Sequence, residues 1–341
     1  MLYVERPGVV TTVQDLGRPG HYRLGIPPSG AADRRAHCVA NWLVGNDERT
    51  ATIEFTSQGP LLAVEEHPLV IAVCGAEVPL RINGEERACW TAHLVCPGDE
   101  IDVGLPAEEM RGYVAVSGGI RVAPRLDSRS TYLLGGLGGL EGRRLRAGDE
   151  LPTGGASSST DRDGLRVPSW LRPRPEQHRS VAMVAGLFNH LLNRASRAAL
   201  HDEPWTLKVE SDRVGYRLEG PKLRFRRRAQ AVGAGSDPSN VVDAGYPVGS
   251  LMAPSGEEGI ICMWDAVTAG GFATVGAVVR CELDRLAQAR PGSTIQFRQV
   301  DLGEARRLRA QRRTQLERLR RALCSSDPTL SHCLHGAIAD A

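Results

Sequence analysis

Glycine and proline break this chain into short pieces. Its 341 residues include 38 Gly and 21 Pro. The apolar runs between these breaks are short, and several alternate with period 2, which predicts many short strands closed into a barrel or stacked as a sandwich. Leu69 to Cys74 is a continuous apolar run, as expected of a buried strand. Val78, Leu80 and Ile82 alternate into Asn83-Gly84, a strong two-residue hairpin signal. Ile101, Val103 and Leu105 alternate after Pro97-Gly98-Asp99. Trp205, Leu207 and Val209 alternate, as do Ile295 and Phe297.

Helices are few. Asp33 is placed to cap a helix from Arg34 to Val44, with Gly45 as its stop. Phe188, Leu191, Leu192, Ala195 and Ala199 make a second helical stripe. Glu304 to Leu323 is a basic amphipathic candidate, with Leu316, Leu319 and Leu323 on one face and eight Arg from Arg306 to Arg321. It reads as a solvated helix packed by three leucines, or as a surface for a partner or RNA.

The segment 153–179 is small, polar and Pro-rich, as a linker or long surface loop would be. It divides the chain into an N-terminal domain (1–152), a C-terminal domain (180–303) and an Arg-rich helical tail (304–341), partly disordered. Two similar stretches hint at an internal repeat: Gln58–Leu62 with Glu219–Leu223, and Pro97–Val103 with Pro291–Phe297.

Residues 1–152 hold 15 Arg and 20 acids, a net of −5; the remaining 27 Lys+Arg and 20 acids give +7, so the whole chain carries +2. That balance and 5% aromatics leave no case for nucleic acid. No apolar run approaches the roughly 18 residues of a membrane span, and no leader pattern opens the chain. The eight cysteines form no CxxC pair and several sit in apolar runs, which predicts free thiols and a cytoplasmic protein. His332, Cys333 and His335 with Cys324 fit no standard zinc spacing, and no metal site is expected.

Four polar stretches are candidates for chemistry. Gln14-Asp15-Leu16-Gly17-Arg18 packs an amide, a carboxylate and a guanidinium together; the pair Asp15 and Arg18 either serves a substrate or braces a turn. Ser29 and Asp33 precede a helix N-terminus, where anions are favoured, although Asp33 is equally explained as an N-cap. Asp212 and Arg213 form a third group, and Asp265 with Thr268 lies at a strand end before Gly270-Gly271. Asn41, Asn46 and Glu54 are polar residues in apolar surroundings, either structural anchors or pocket residues. The Gly-rich run Gly135–Arg143 lacks the Lys-Ser/Thr of a P-loop and reads as a loop.

The stretches Pro7–Gly20, Gly25–Asp33, Ala40–Asn46 and Ser211–Leu218 resemble the 5-oxoprolinase C subunit, also called KipA or allophanate hydrolase subunit 2. That family is similar to part of the carboxyltransferase region of urea carboxylase. The resemblance, over about residues 3–300, implies a mainly β fold of tandem cyclophilin-like β-barrel domains. It implies work with the A and B subunits of 5-oxoprolinase, one of them KipI-like, opening the lactam of 5-oxoproline or a related cyclic amide to L-glutamate with ATP hydrolysis. The ATP site would then lie here or on a partner. Carried onto this sequence, Asp15, Arg18 and Asp265 are expected to be catalytic, and Gln14, Ser29, Asp33, Asp212, Arg213 and Thr268 to bind substrate. The acid and guanidinium near the amino end are expected to face an open cleft shared by the barrels. Two alternatives are a carboxyltransferase-like protein using biotin carried by another chain, and a non-catalytic partner of a KipI-like regulator of a sensor kinase. The chain departs from the family pattern at Val267–Ala273 and Leu251–Ser255, where two amides and a hydroxyl are replaced. That departure bears on substrate identity.

Overall fold

A computed structural model describes residues 1–154 and 160–324. The expected disordered end, with His332, Cys333 and His335, lies outside the described residues, as do residues 155–159 of the Pro-rich segment. The described residues divide into two compact units, one within 1–17, 33–174 and 312–324, the other of residues 18–32 and 175–311.

The first unit holds strands β1 (Leu2–Arg6), β2 (Val10–Gln14), β3 (Thr52–Thr56), β4 (Leu61–Val64), β5 (Leu69–Gly75), β6 (Leu80–Ile82), β7 (Glu85–Arg87), β8 (Ala92–Val95), β9 (Glu100–Val103), β10 (Arg111–Val116) and β11 (Glu150–Leu151). They pair as a six-stranded sheet, β11-β1-β4-β9-β6-β7, and a five-stranded sheet, β2-β3-β10-β5-β8. β5 and β10 are buried along their whole length, and helix α1 (Arg34–Leu43) packs against both. Asp33 caps α1 by accepting from the Ala36 amide at 3.0 Å, and Gly45 in the left-handed region follows its end. Gly112 in β10 is needed for packing, since a Cβ there would come within 2.2 Å of the Phe55 ring. Asn83 and Gly84, at φ 52° and 79°, form the expected two-residue turn between β6 and β7. The Pro-rich segment is strapped to β8: Ala92 donates to the Leu165 carbonyl, and Gly164 to that of Ala92. It thereby covers a sheet edge.

The second unit holds β12 (His178–Ala185), α2 (Arg194–Asp202), β13 (Trp205–Leu207), β14 (Gly215–Glu219), β15 (Asn240–Gly245), β16 (Ser250–Met252), β17 (Gly259–Cys262), β18 (Ala269–Phe272), β19 (Thr274–Val278), α3 (Leu283–Ala287) and β20 (Thr294–Gln299). Seven strands close a barrel in the order β12-β19-β16-β17-β14-β13-β20, with β12 and β20 parallel. Trp205, Tyr216, Ile261, Val275 and Phe297 are among the side chains that fill it. β15 and β18 form a separate two-stranded arm.

Two expectations change in the details. The stripe from Phe188 to Ala199 is not one helix: a 3-10 turn covers Asn189–Leu191, Leu192 bridges to Phe225, and α2 starts at Arg194. The Asn193 side chain fixes that start by accepting from the Ser196 amide at 2.8 Å. Leu105 and Val209 lie beyond their strands and are exposed. The basic candidate is a helix as expected, α4 (Leu302–Cys324), with Leu319 and Leu323 buried. The seven described cysteines are free thiols.

One repeat pair is structural and the other is not. Gly98 donates to the Val64 carbonyl, Val64 to that of Asp99, and Asp99 to that of Cys96. Gly292, Leu207, Ser293 and Arg290 repeat those bonds, and Gly148, Val4, Asp149 and Arg146 make them a third time. In each turn the first residue's amide also donates to the fourth residue's side chain. Gln58–Leu62 runs into β4, whereas Glu219–Leu223 runs off the end of β14.

Candidate functional site

Each unit carries a buried polar centre. In the first, Gln14 ends β2 and Asp15 follows it. The Asp15 Oδ1 accepts from the Ser128 hydroxyl at 2.6 Å, the Gly17 amide at 2.7 Å and the Ser130 hydroxyl. Its Oδ2 accepts from the Arg129 amide at 2.6 Å. In return the Asp15 amide donates to Ser130 Oγ at 3.0 Å. Apart from Gly17, these donors arrive on a hairpin whose tip, Leu126-Asp127, has φ of 51° and 60°. Behind it the Gly-rich run is a string of tight turns, with the Gly139 amide on the Arg129 carbonyl and no room for a Cβ beside Thr131. The Gln14 amide nitrogen donates to Thr12 Oγ1 and the Thr131 carbonyl; its Oε1 is buried without a hydrogen-bond partner among the described residues.

The same unit buries a polar layer behind α1. The Asp33 amide donates to the Tyr113 hydroxyl at 2.7 Å, which donates to Glu54 Oε2 at 2.8 Å. Asn41 donates to the Thr50 carbonyl, and Asn46 donates to Asn41 Oδ1 and the Val116 carbonyl. Glu54, Asn41 and Asn46 are therefore structural anchors. Burial pushes the Tyr113 hydroxyl well up, helped by the Glu54 and Asp33 charges. His37 lies 0% exposed between Thr52 Oγ1 and the Glu48 carbonyl, and burial pulls its pKa down to about 4.

In the second unit Arg213 and Asp265 form a bidentate pair, Nε to Oδ2 at 2.8 Å and Nη2 to Oδ1 at 3.3 Å. Arg213 Nη2 also donates to the Gly30 carbonyl at 2.7 Å. Both side chains are more than nine-tenths buried. The segment 18–32 is fastened beside them: the Ser29 amide donates to the Trp264 carbonyl, Trp264 Nε1 to the Ala32 carbonyl, and the Arg18 amide to the Pro28 carbonyl. Ser29 sits at φ 51°, buried, with no hydrogen-bond partner for its hydroxyl among the described residues. Asp212 is exposed and accepts from the Val214 and Gly215 amides, shaping the turn into β14. Thr268 is half-buried and its carbonyl accepts from the Tyr246 amide.

Thus Arg18, Ser29, Arg213 and Asp265 gather in one unit, with Asp212 and Thr268 on its periphery. Gln14, Asp15 and Asp33 belong to the other unit. The expected open cleft is not what these residues meet: Asp15 is 7% exposed and Arg18 1%. A carboxylate holding four donors is a stable way to bury a charge. Sequence reasoning missed Ser128, Ser130 and Trp264. A lone carboxylate announces that it needs donors, but not which donors from 113 residues away.

Residues 24–299 match the family described as carboxyltransferase domain, subdomain A and B. The chain is 34% identical over 322 residues to the 5-oxoprolinase C subunit of Escherichia coli K12, covering 94% of this chain and 97% of that protein. The chain belongs to the 5-oxoprolinase C-subunit family. A second member, from Haemophilus influenzae, is 32% identical and is covered over 94% of its length. The chain is also similar to part of a larger protein. The structure of Kluyveromyces lactis urea amidolyase aligns with a TM-score of 0.87 at 32% identity, covering 93% of this chain but 20% of that one.

Proposed function

We propose that this chain is the C subunit of an ATP-dependent 5-oxoprolinase complex, working in the cytoplasm with its A and B subunits to open the lactam of 5-oxoproline, or a related cyclic amide, to L-glutamate. The observation that carries this reading is the 34% identity with the Escherichia coli C subunit over 94% of this chain and 97% of that protein. An amide carbon is a poor electrophile. Transfer of the ATP γ-phosphoryl group to the lactam oxygen, releasing ADP, makes it attackable. Water then adds, the ring C–N bond breaks as nitrogen takes a proton, and the open chain is left as a γ-glutamyl phosphate; a second water cleaves that acyl phosphate to glutamate and phosphate.

In this scheme Arg18 and Ser29 supply donors for a phosphoryl or carboxylate oxygen, as preorganised donors do for developing charge. Both are buried, so direct contact with substrate requires the 18–32 segment to shift. Asp265 is a positioning residue that holds Arg213 in plane, and Asp15 holds the turn leading to Arg18. Gln14 and Asp33 shape backbone within the first unit, and Asp212 and Thr268 within the second.

The test is ATP-dependent glutamate release by the chain mixed with its A and B partners. If the Escherichia coli C subunit restores release to that mixture and this chain does not, the reading fails. A carboxyltransferase using biotin on another protein is the second reading, favoured by the family description and the urea amidolyase match. Avidin sensitivity of the assembled activity separates the two.

A further inference from the structure

The second unit presents an apolar surface that its own core does not use. Val232 is 99% exposed, Leu187 74%, Val242 56% and Phe272 41%. Three of them belong to the β15–β18 arm and the loop that precedes it. Phe272 stands opposite Asn240 in the β15–β18 arm, and a Cβ on Gly233 would lie 4.0 Å from Val242. Leu187 adjoins Phe188, which packs against the Val241–Ala273 cluster beneath the arm.

This surface is built to hold its shape. The Tyr246 hydroxyl donates to the Phe272 carbonyl at 3.0 Å and accepts from the Phe272 amide. The loop carrying Val232 is tied across its base: Arg228 donates to the Asn240 carbonyl at 2.6 Å, and Gln230 to the Asp237 carbonyl. Asp237 in turn accepts from the Ser239 amide and the Ser255 hydroxyl. A fixed apolar projection costs less ordering entropy on association than a mobile one.

The rim is basic. Arg224, Arg226 and Arg227 are exposed, and none forms an ion pair among the described residues. Lys222 is neutralised by Glu257, and Asp243 is the acid exposed beside Val242. An apolar centre bordered by unpaired arginines matches the anatomy of a protein interface, with a dehydrated middle and a charged edge that selects the partner.

We infer that the β15–β18 arm and the Val232 loop dock another protein of the same enzyme complex, one that presents an apolar patch edged with Asp and Glu. The inference rests on the reading of the chain as the C subunit of 5-oxoprolinase. The full-length chain is titrated with the purified A and B subunits, beside the variants Val232→Asp, Phe272→Ser and the double variant Arg226→Glu/Arg227→Glu. Wild type binds, raising salt weakens it, and each variant weakens binding about tenfold or more with unchanged melting temperature. Variants that bind like wild type in a mixture that releases glutamate overturn the docking surface and leave the function standing. Variants that lose binding in a mixture where the Escherichia coli C subunit restores glutamate release and this chain does not keep the docking surface and end the function. Wild type that binds neither partner, or that self-associates through a contact sensitive to Val232→Asp, overturns the inference.

Discussion

At the scale of single residues, Asp265 and Arg213 are each other's counter-charge in a place with little water. Removing one leaves the other buried, which costs about 3–5 kcal/mol. Asp265→Ala is therefore expected to lower stability by that amount in urea denaturation, whereas Arg213→Met/Asp265→Leu recovers much of it. Asp15→Ala strands two hydroxyls and two amides, for an expected loss of about 3 kcal/mol in the same assay. His37 gives a pH signature. The Glu48 carbonyl can only accept, so Nε2 carries a proton, and burial disfavours a second one. Its folded pKa of about 4 lies below the ordinary 6.5. The unfolded chain thus takes up a proton that the folded chain refuses. Stability from this group is full above pH ~6.5, falls as pH drops toward ~4, and is level below, a span of about 3 kcal/mol. Denaturation of His37→Gln across that range is expected to show a shallower acid limb than wild type.

At the scale of elements, turn chemistry sets where strands begin. Gly98, Gly148 and Gly292 all have φ between 85° and 92°, and each is followed within two residues by β9, β11 or β20. A Cβ on Gly292 meets nothing within 4 Å. Gly292→Ala is therefore expected to cost only the backbone strain, about 1–2 kcal/mol. The Leu126-Asp127 tip is the opposite case. It makes a two-residue hairpin, but with residues that enter the left-handed region unwillingly. Leu126→Asn/Asp127→Gly, which copies Asn83-Gly84, is expected to raise stability by roughly 1 kcal/mol by urea denaturation. A gain in stability with a loss of turnover in the assembled complex shows that the strained tip serves the Asp15 centre.

At the scale of the whole molecule, the segment 18–32 folds with the distant barrel rather than with its sequence neighbours. Its Ser29 amide is bonded to Trp264, and Trp264 belongs to the barrel core. Phe297→Ala, which hollows that core, is expected to cost about 3–5 kcal/mol. Hydrogen exchange checks the assignment: the Ser29 amide loses protection in step with Ile261, while Val114 in the first unit keeps its own.

The local pieces of this protein were legible in the order of its residues. Leu69–Cys74 had to be buried, Asn83-Gly84 had to turn, and Asp33 had to cap, because periodicity, φ preference and a hydrogen bond three residues away are short-range physics. The motifs near the amino end and around Arg213 also carried the family. What those polar residues touch became fixed only when the chain packed. Ser128 and Ser130 reach Asp15 across more than a hundred residues, and Arg213 reaches Gly30 across 183. Whether a carboxylate is open or enclosed depends on which distant donors the packing delivers. That is set by the closing of the sheets and the barrel, not by any spacing along the chain.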